Sequence, residues 1–376
     1  MAENTAPSPN VPRDFSIIIP TYNEHESIPP LLKKIHQQVG GRNYEIIFVD
    51  DDSRDGTADL INSLSGDYPV RVVVRKGKRG LATAVADGFD YSASPVLLVM
   101  DADLQHPPEV IPALLQSMDT GADIAVASRY VPGGGNLGWS KTRQVISNGA
   151  ILLSHLLLPS SRRVKDPMSG FFALKRSVVS GLKLEPIGYK ILLEVIVLAE
   201  DARVTEVPFM FQVREQGKSK LNLNQQMEYL KHLLSLMRRS GEMLRFLKFA
   251  LVGGSGVLVN EGTRLILTTW AGMAYPYDAI AAPIGIELSI ITNFVLNNYF
   301  TFSDRRAKGA GAFFRRLVKF NVISLVGAAI QYGIYLALTR GAGWVEAPFP
   351  TLANLIGIAI AMAWNFFSNS WWTWKK

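Results

Sequence analysis

Four long apolar stretches, at roughly 246–270, 279–301, 317–339 and 350–373, constrain this 376-residue chain more than anything else in it. Each can cross the hydrocarbon core of a bilayer, which takes about 20 residues. In lipid a lone span satisfies its own backbone only as a helix. These stretches account for a hydrophobic content of 48%, high for a wholly soluble protein. The chain ahead of them has another character, so more than one domain follows.

Charge divides the chain the same way. From 246 onward, 11 Lys and Arg stand against 5 Asp and Glu, whereas residues 1–245 hold 28 against 27. The basicity belongs to the apolar half, so no nucleic acid is expected as a partner. Six of those cations, Arg305, Arg306, Lys308, Arg315, Arg316 and Lys319, lie in the connection between the second and third stretches or at the very start of the third. By the positive-inside rule this loop, both termini and the whole first half face the cytoplasm. The absence of cysteine excludes disulfides, thiolate metal sites and a cysteine nucleophile. Five scattered histidines show no paired zinc-ligand spacing. The polar start, 1–14, lacks the apolar core of a signal peptide and reads as a disordered tail.

In the first half, apolar runs of strand character (FSIIIP, YEIIFVD, VRVVV, VLLVM, DIAVAS) alternate with helical segments. That is the pattern of a mostly parallel sheet covered by helices. Ligands of such sheets bind beyond the carboxyl ends of the strands. Polar clusters stand at three of those ends: Tyr22, Asn23 and Glu24; Asp50, Asp51 and Asp52; Asp101 and Asp103. Asp101 and Asp103 project to one side with a single small residue between them. Hard oxygen ligands in so small a number suit Mg²⁺ or Mn²⁺, which keep several waters and pair one or two carboxylates with substrate phosphates. A phosphorylated substrate is implied. A solvated Asp-rich turn is the plainer alternative, and the two other polar strand ends weigh against it.

Stretches 139–158 and 224–247 mix apolar residues at helical spacing with basic ones. They read as helices lying in the membrane interface, with Arg143 and Arg238 or Arg239 near headgroups. A core-facing amphipathic helix is the alternative for each. The apolar half also repeats itself. RFLKF at 245–249 recurs as RLVKF at 316–320, and NFVLNNYFTF at 293–302 as NFFSNSWWTW at 365–374. Two helical hairpins of like orientation follow. Glu261 and Arg264, one turn apart within the first span, are costly in lipid and should pair with each other or face the bundle interior. Asn293, Asn297, Asn365 and Asn369 read as polar contacts between the two hairpins.

The chain resembles the inverting family-two glycosyltransferases of GT-A fold, most closely polyprenyl-phosphate sugar synthases of the dolichol-phosphate mannose synthase type. The segments SIIIPTYNEHESI, IIFVDDDSRDGTAD, RGLATAVADGF, VMDADLQHPPE, ASRYVPGGG, DPMSGFFALKR and VREQGKSKL follow that family in order and at matching intervals. From about 245 the chain looks like the four-span GtrA-type domain that some members carry. The resemblance implies an α/β fold: a cytosolic GT-A (Rossmann-like) catalytic domain over 15–223, an interfacial helix or linker over 224–245, and an all-α domain of four transmembrane helices over 246–376. It also implies GDP-mannose as donor, dolichyl or another polyprenyl phosphate as acceptor, and Mg²⁺ or Mn²⁺ as cofactor.

Carried over by position, Pro20, Tyr22, Glu24, Val49 and Asp51 become nucleoside contacts, with Asp51 holding base or ribose. Asp101, Ala102, Asp103 and Gln105 become the metal and donor-phosphate segment, with Asp103 and Gln105 as direct ligands alongside Asp101. Lys190, Arg214 and Lys220 resemble donor-side cations, and Gly217 lets the loop from Gln216 to Lys220 bend over the diphosphate. Arg129, Arg143 and Ser147 resemble an acceptor-phosphate cradle, where arginine forks offset the repulsion of two anions. Arg143 and Ser147, four apart, share one helix face. Asp166 falls near the sugar, as a sugar contact or a loop-ordering residue. Asp101, Asp103, Arg129 and Arg143 form the catalytic set. A UDP-glucose-dependent enzyme is the nearest rival, and a lipid-linked sugar flippase the rival from another class. A multi-pass protein of a prokaryotic cell membrane is expected.

Overall fold

Strands buried on both faces explain why the first half reads as unbroken apolar runs. The computed structural model describes residues 13–39, 41–212, 223–270, 278–306, 309–344, 346 and 348–375. Most of the expected tail at 1–14 lies outside these residues, as does Lys308. The chain forms two units divided between Ser240 and Gly241.

The first unit runs β1 (Phe15–Thr21), α1 (Ile28–Val39), β2 (Tyr44–Asp50), α2 (Thr57–Ser63), β3 (Val70–Val74), α3 (Leu81–Tyr91) and β4 (Val96–Val99). It continues through α4 (Ile111–Asp119), β5 (Ile124–Ser128), β6 (Gly135–Asn136), α5 (Lys141–Leu157), β7 (Phe172–Lys175) and α6 (Arg176–Val179). It ends with α7 (Ile191–Leu198), β8 (Val204–Pro208), β9 (Met210–Phe211) and α8 (Leu223–Arg239). Seven strands form one sheet in the order β3-β2-β1-β4-β7-β5-β8. All pairings are parallel except those of β7, which is antiparallel to both β4 and β5. The mostly parallel sheet is as expected, with one reversed strand inside it, between β4 and β5.

Alternation along β1 divides the core. Phe15, Ile17 and Ile19 belong to one apolar layer, with Leu31, Ile35 and Leu114; Ile18 belongs to the other, with Val85, Phe89 and Ile196. Gly88 lets α3 approach β1 closely, because a Cβ there would lie 2.4 Å from the Ile18 methyl. Among the described residues three non-glycine residues adopt positive φ, and each follows a strand end: Asn23 after β1, Asp52 after β2 and Leu104 after β4. Backbone strain of this kind clusters where loops are shaped for function.

The second unit holds α9 (Glu242–Thr269), α10 (Asp278–Leu296), α11 (Ala310–Leu336) and α12 (Phe349–Ser368). The stretch expected as one helix over 224–247 is thus two, because Gly241 at φ +79° breaks it. Among the described residues, two helices combine the length and apolarity to cross a membrane, Ala310–Gly341 and Phe349–Thr373. The repeat is visible in the packing. Phe249, Phe294 and Phe302 of the first hairpin meet Phe320, Phe366 and Trp374 of the second in one buried cluster. Phe302 and Trp374 stack at 4.4 Å with rings 6° apart. Asn293 crowds Gly256, and Asn365 crowds Gly327. These two asparagines therefore serve contacts within each hairpin rather than between hairpins. Glu261 and Arg264 pair with each other at 2.8 Å.

Replacing Gly88 by Ala should destabilise the chain by about 1–3 kcal/mol, because the core must shift to admit a methyl. Thermal unfolding in detergent would show it as a lowered Tm, and an unchanged Tm would mean that α3 can move away freely.

Candidate functional site

The carboxyl ends of β1, β2 and β4 open into one cavity of ≈ 1190 Å³ within the first unit. Pro20, Tyr22, Glu24, Asp51, Asp101, Ala102, Asp103, Gln105, Arg129, Arg143, Ser147 and Lys190 all line it. Chain reversal at strained Leu104 places Gln105 beside Asp103, whose carboxylate accepts the Gln105 N–H at 3.1 Å. The Gln105 amide nitrogen donates to the Gln212 carbonyl at 3.0 Å, which leaves Oε1 as its ligand-type atom.

His106 sits fully buried beneath this turn. Its Nδ1 accepts the Asp101 N–H at 2.9 Å, and its ring stacks on Phe171 at 5.3 Å. Burial pulls its pKa down to about 4, so it is neutral at ordinary pH and cancels none of the carboxylate charge. Among the described residues no group of three or more His, Asp or Glu forms a metal cage. Two carboxylates and an amide oxygen instead fit a hard divalent cation that leaves most of its shell to water and phosphate.

On the opposite wall, Arg129 is clamped by buried Asp166. Arg129 Nε and Nη2 each lie 2.8 Å from a carboxylate oxygen, and its backbone N–H donates to the same group at 3.0 Å. Burial opposes charge on Arg129, but Asp166 outweighs it and holds the guanidinium above its ordinary pKa. Nη1 remains as the donor for anything entering the cavity. Asp166 is fully buried and is not part of the cavity lining, so it orders the loop through Arg129 rather than touching a sugar. Trp139 carries both arginines, with Arg143 4.4 Å and Arg129 5.1 Å from its ring centre. Ser147 bonds the Tyr130 hydroxyl at 2.9 Å. Lys190, at the start of α7, donates to the Met168 carbonyl at 2.8 Å, and burial pulls its pKa down to about 8.

Two expectations change. Val49 is wholly buried in the core layer under α3, since alternation along β2 turns its side chain away from the cavity. Asp51 reaches the cavity already accepting Arg75 through Oδ1 and the Gly80 N–H through Oδ2 at 2.8 Å, so it braces the turn before α3. Arg214, Gly217 and Lys220 lie outside the described residues. Arg79, which lies over the Tyr22 ring at 4.7 Å, and Trp139 are cavity residues that sequence reasoning missed. Only the basic run KGKRG and the tryptophan opening an amphipathic stretch could have signalled them.

Residues 16–182 match the model of Glycosyl transferase family 2, and residues 248–374 that of the GtrA/DPMS transmembrane domain. The chain is 44% identical to a dolichol-phosphate mannosyltransferase of Pyrococcus furiosus over 360 residues, 96% of this chain and 99% of the relative. It is 39% identical to the dolichol-phosphate mannosyltransferase of Saccharomyces cerevisiae, covering 59% of this chain and 86% of that one. To the polyprenol monophosphomannose synthase of Mycolicibacterium smegmatis it is 38% identical, over 55% and 80% of the two chains.

Asp166→Ala would strand the buried Arg129 charge and should cost about 3–5 kcal/mol. Thermal unfolding would register this as a large fall in Tm. An unchanged Tm would show that Arg129 finds another partner or reaches water.

Proposed function

This chain belongs to the dolichol-phosphate mannosyltransferase family, membrane glycosyltransferases that pass a mannosyl group to a polyprenyl phosphate, and from that premise we propose its donor, its metal and its mechanism. The donor is GDP-mannose, the acceptor dolichyl or another polyprenyl phosphate, and the product an inverted mannosyl phospholipid. One observation carries the reading. A single cavity joins the acidic end of β4 to the Arg143 and Ser147 face of α5. The outer side of α5 exposes apolar Val145 and Leu152, 70% and 68% accessible, as a helix resting on lipid would. A lipid phosphate held by Arg143 and Arg129 therefore enters from the membrane side, while Tyr22, Glu24 and Pro20 take the nucleoside.

No general base is needed, because a phosphate monoester, with its second pKa about 6, is already largely dianionic near neutrality. Its oxygen attacks the anomeric carbon in line, and the nucleoside diphosphate leaves from the opposite side, which inverts the centre. Arg129, Arg143 and Ser147 orient the attacking phosphate and offset its repulsion from the donor diphosphate. Lys190, within electrostatic reach of Asp101 and Arg129, is assigned to the donor diphosphate. Asp101, Asp103 and Gln105 would hold Mg²⁺ or Mn²⁺, which supplies charge neutralisation for the leaving diphosphate. Arg214 and Lys220 are assigned to the donor side as well. In this reading the second unit is a multi-pass anchor in a prokaryotic cell membrane, with the catalytic unit on the cytoplasmic face.

The test is transfer of labelled sugar into organic-extractable lipid, comparing GDP-mannose with UDP-glucose, with Mg²⁺, Mn²⁺ or chelator. Wild type should give a metal-dependent mannolipid, and Asp103→Ala should lower the rate at least about 100-fold, as loss of a group acting on the leaving charge does. Glucolipid instead would replace the donor and keep the mechanism. Product unaffected by chelator would remove the metal from it.

A further inference from the structure

A buried carboxylate outside the reacting centre ties one wall of the cavity to the body of the domain. Glu194, one turn into α7 from Lys190, is fully buried. Its Oε1 accepts the Glu185 N–H at 2.7 Å and Arg239 Nη1 at 2.5 Å. Its Oε2 faces His232 Nε2 at 3.4 Å without a hydrogen bond between them, and His232 is itself fully buried. Burial opposes ionisation of Glu194, but His232, the Glu185 amide and Arg239 outweigh it and hold the carboxyl below its ordinary range. A paired charge at such depth is retained at a cost in desolvation, so replacement by apolar residues would often serve stability as well or better.

The two side chains that meet Glu194, His232 and Arg239, lie on α8, whose two halves differ. The second half is seated, with His232, Leu233, Leu236 and Met237 buried on one face. The first half stands over the cavity, where Gln225, Glu228 and Tyr229 line it. Tyr229 donates its hydroxyl to the Ala150 carbonyl of α5 at 2.6 Å, one turn beyond Ser147. The contacts thus run from α7 through Glu194 to the seated half of α8, and from its overhanging half to α5.

We infer that Glu194 is a positioning residue for the acceptor. By bonding Arg239 and packing its second oxygen against His232 it sets where the overhanging half of α8 stands against α5, and so the width of the passage by which the lipid phosphate reaches Arg143. The inference rests on the assignment of the α5 side of the cavity to the acceptor. The nucleotide-side residues on β1, β2 and β4 have no part in this chain of contacts, and Lys190, at the head of α7, is held by its own bond to the Met168 carbonyl rather than by Glu194.

The test uses the full chain in nanodiscs. Initial rates of Glu194→Gln, His232→Gln and the double variant are measured against polyprenyl phosphate and against GDP-mannose in turn. Each single variant should raise KM for the lipid about tenfold and leave KM for the nucleotide sugar within about twofold, the split expected when one substrate's binding alone is lost. The double variant should be no worse than the singles, because the two residues act as a unit. Amide exchange over residues 225–230 should quicken in Glu194→Gln. Parallel rises in both KM values, unchanged lipid KM, or unchanged exchange would overturn the inference. If Glu194→Gln does not fold, His232→Gln alone is read by the same criteria. Wild type inactive with GDP-mannose would count against the proposed donor, and the exchange measurement would still decide the role of Glu194.

Discussion

The buried pairing of Arg129 with Asp166 is the interaction on which the catalytic unit turns. It joins the end of β5 to the loop that enters β7 by two side-chain bonds and one backbone bond. That loop must be placed for β7 to run backwards between β4 and β5, and the same loop brings Gly170 against Asp101 and His106. A Cβ at Gly170 would meet the His106 ring at 3.1 Å. The acidic end of β4 is therefore shaped from behind by a segment held in place by a charge pair on the opposite wall.

Much of this unit was legible because its signals are local. Unbroken apolar runs ending in acids mark strands buried on both faces whose ends meet ligand, and β1, β2, β4 and β5 lie where those runs stand. β7 and β8 escaped because FALK is only four residues long and VTEVP, at the sheet edge, interleaves polar residues. Side-chain commitments were legible least. Nothing local in the chain tells that Asp51 is taken by Arg75, 24 residues on, or that Trp139 props Arg129 as well as Arg143. Val49 failed for a simpler reason: β2 is buried on both faces, and its period of two sends Val49 into the core layer under α3.

Electrostatically the cavity is divided rather than uniformly charged. Carboxylates gather at the β4 end beside a histidine that burial keeps neutral, and guanidinium groups gather at the α5 end on an aromatic face. A substrate pair with two phosphate centres, one needing a cation between itself and the carboxylates and one needing a direct fork, matches that division better than a single anion would.

In the second unit, each hairpin supplies three aromatic rings to a cluster that neither could close alone. Phe249 and Phe320, Phe294 and Phe366, and Phe302 and Trp374 are repeat equivalents, and the closest stack joins the members of one such pair. This is the arrangement of a two-fold dimer whose protomers happen to share one chain. Because the two halves share one chain, each can differ at an equivalent position, and the closest stack holds a phenylalanine on one side and a tryptophan on the other.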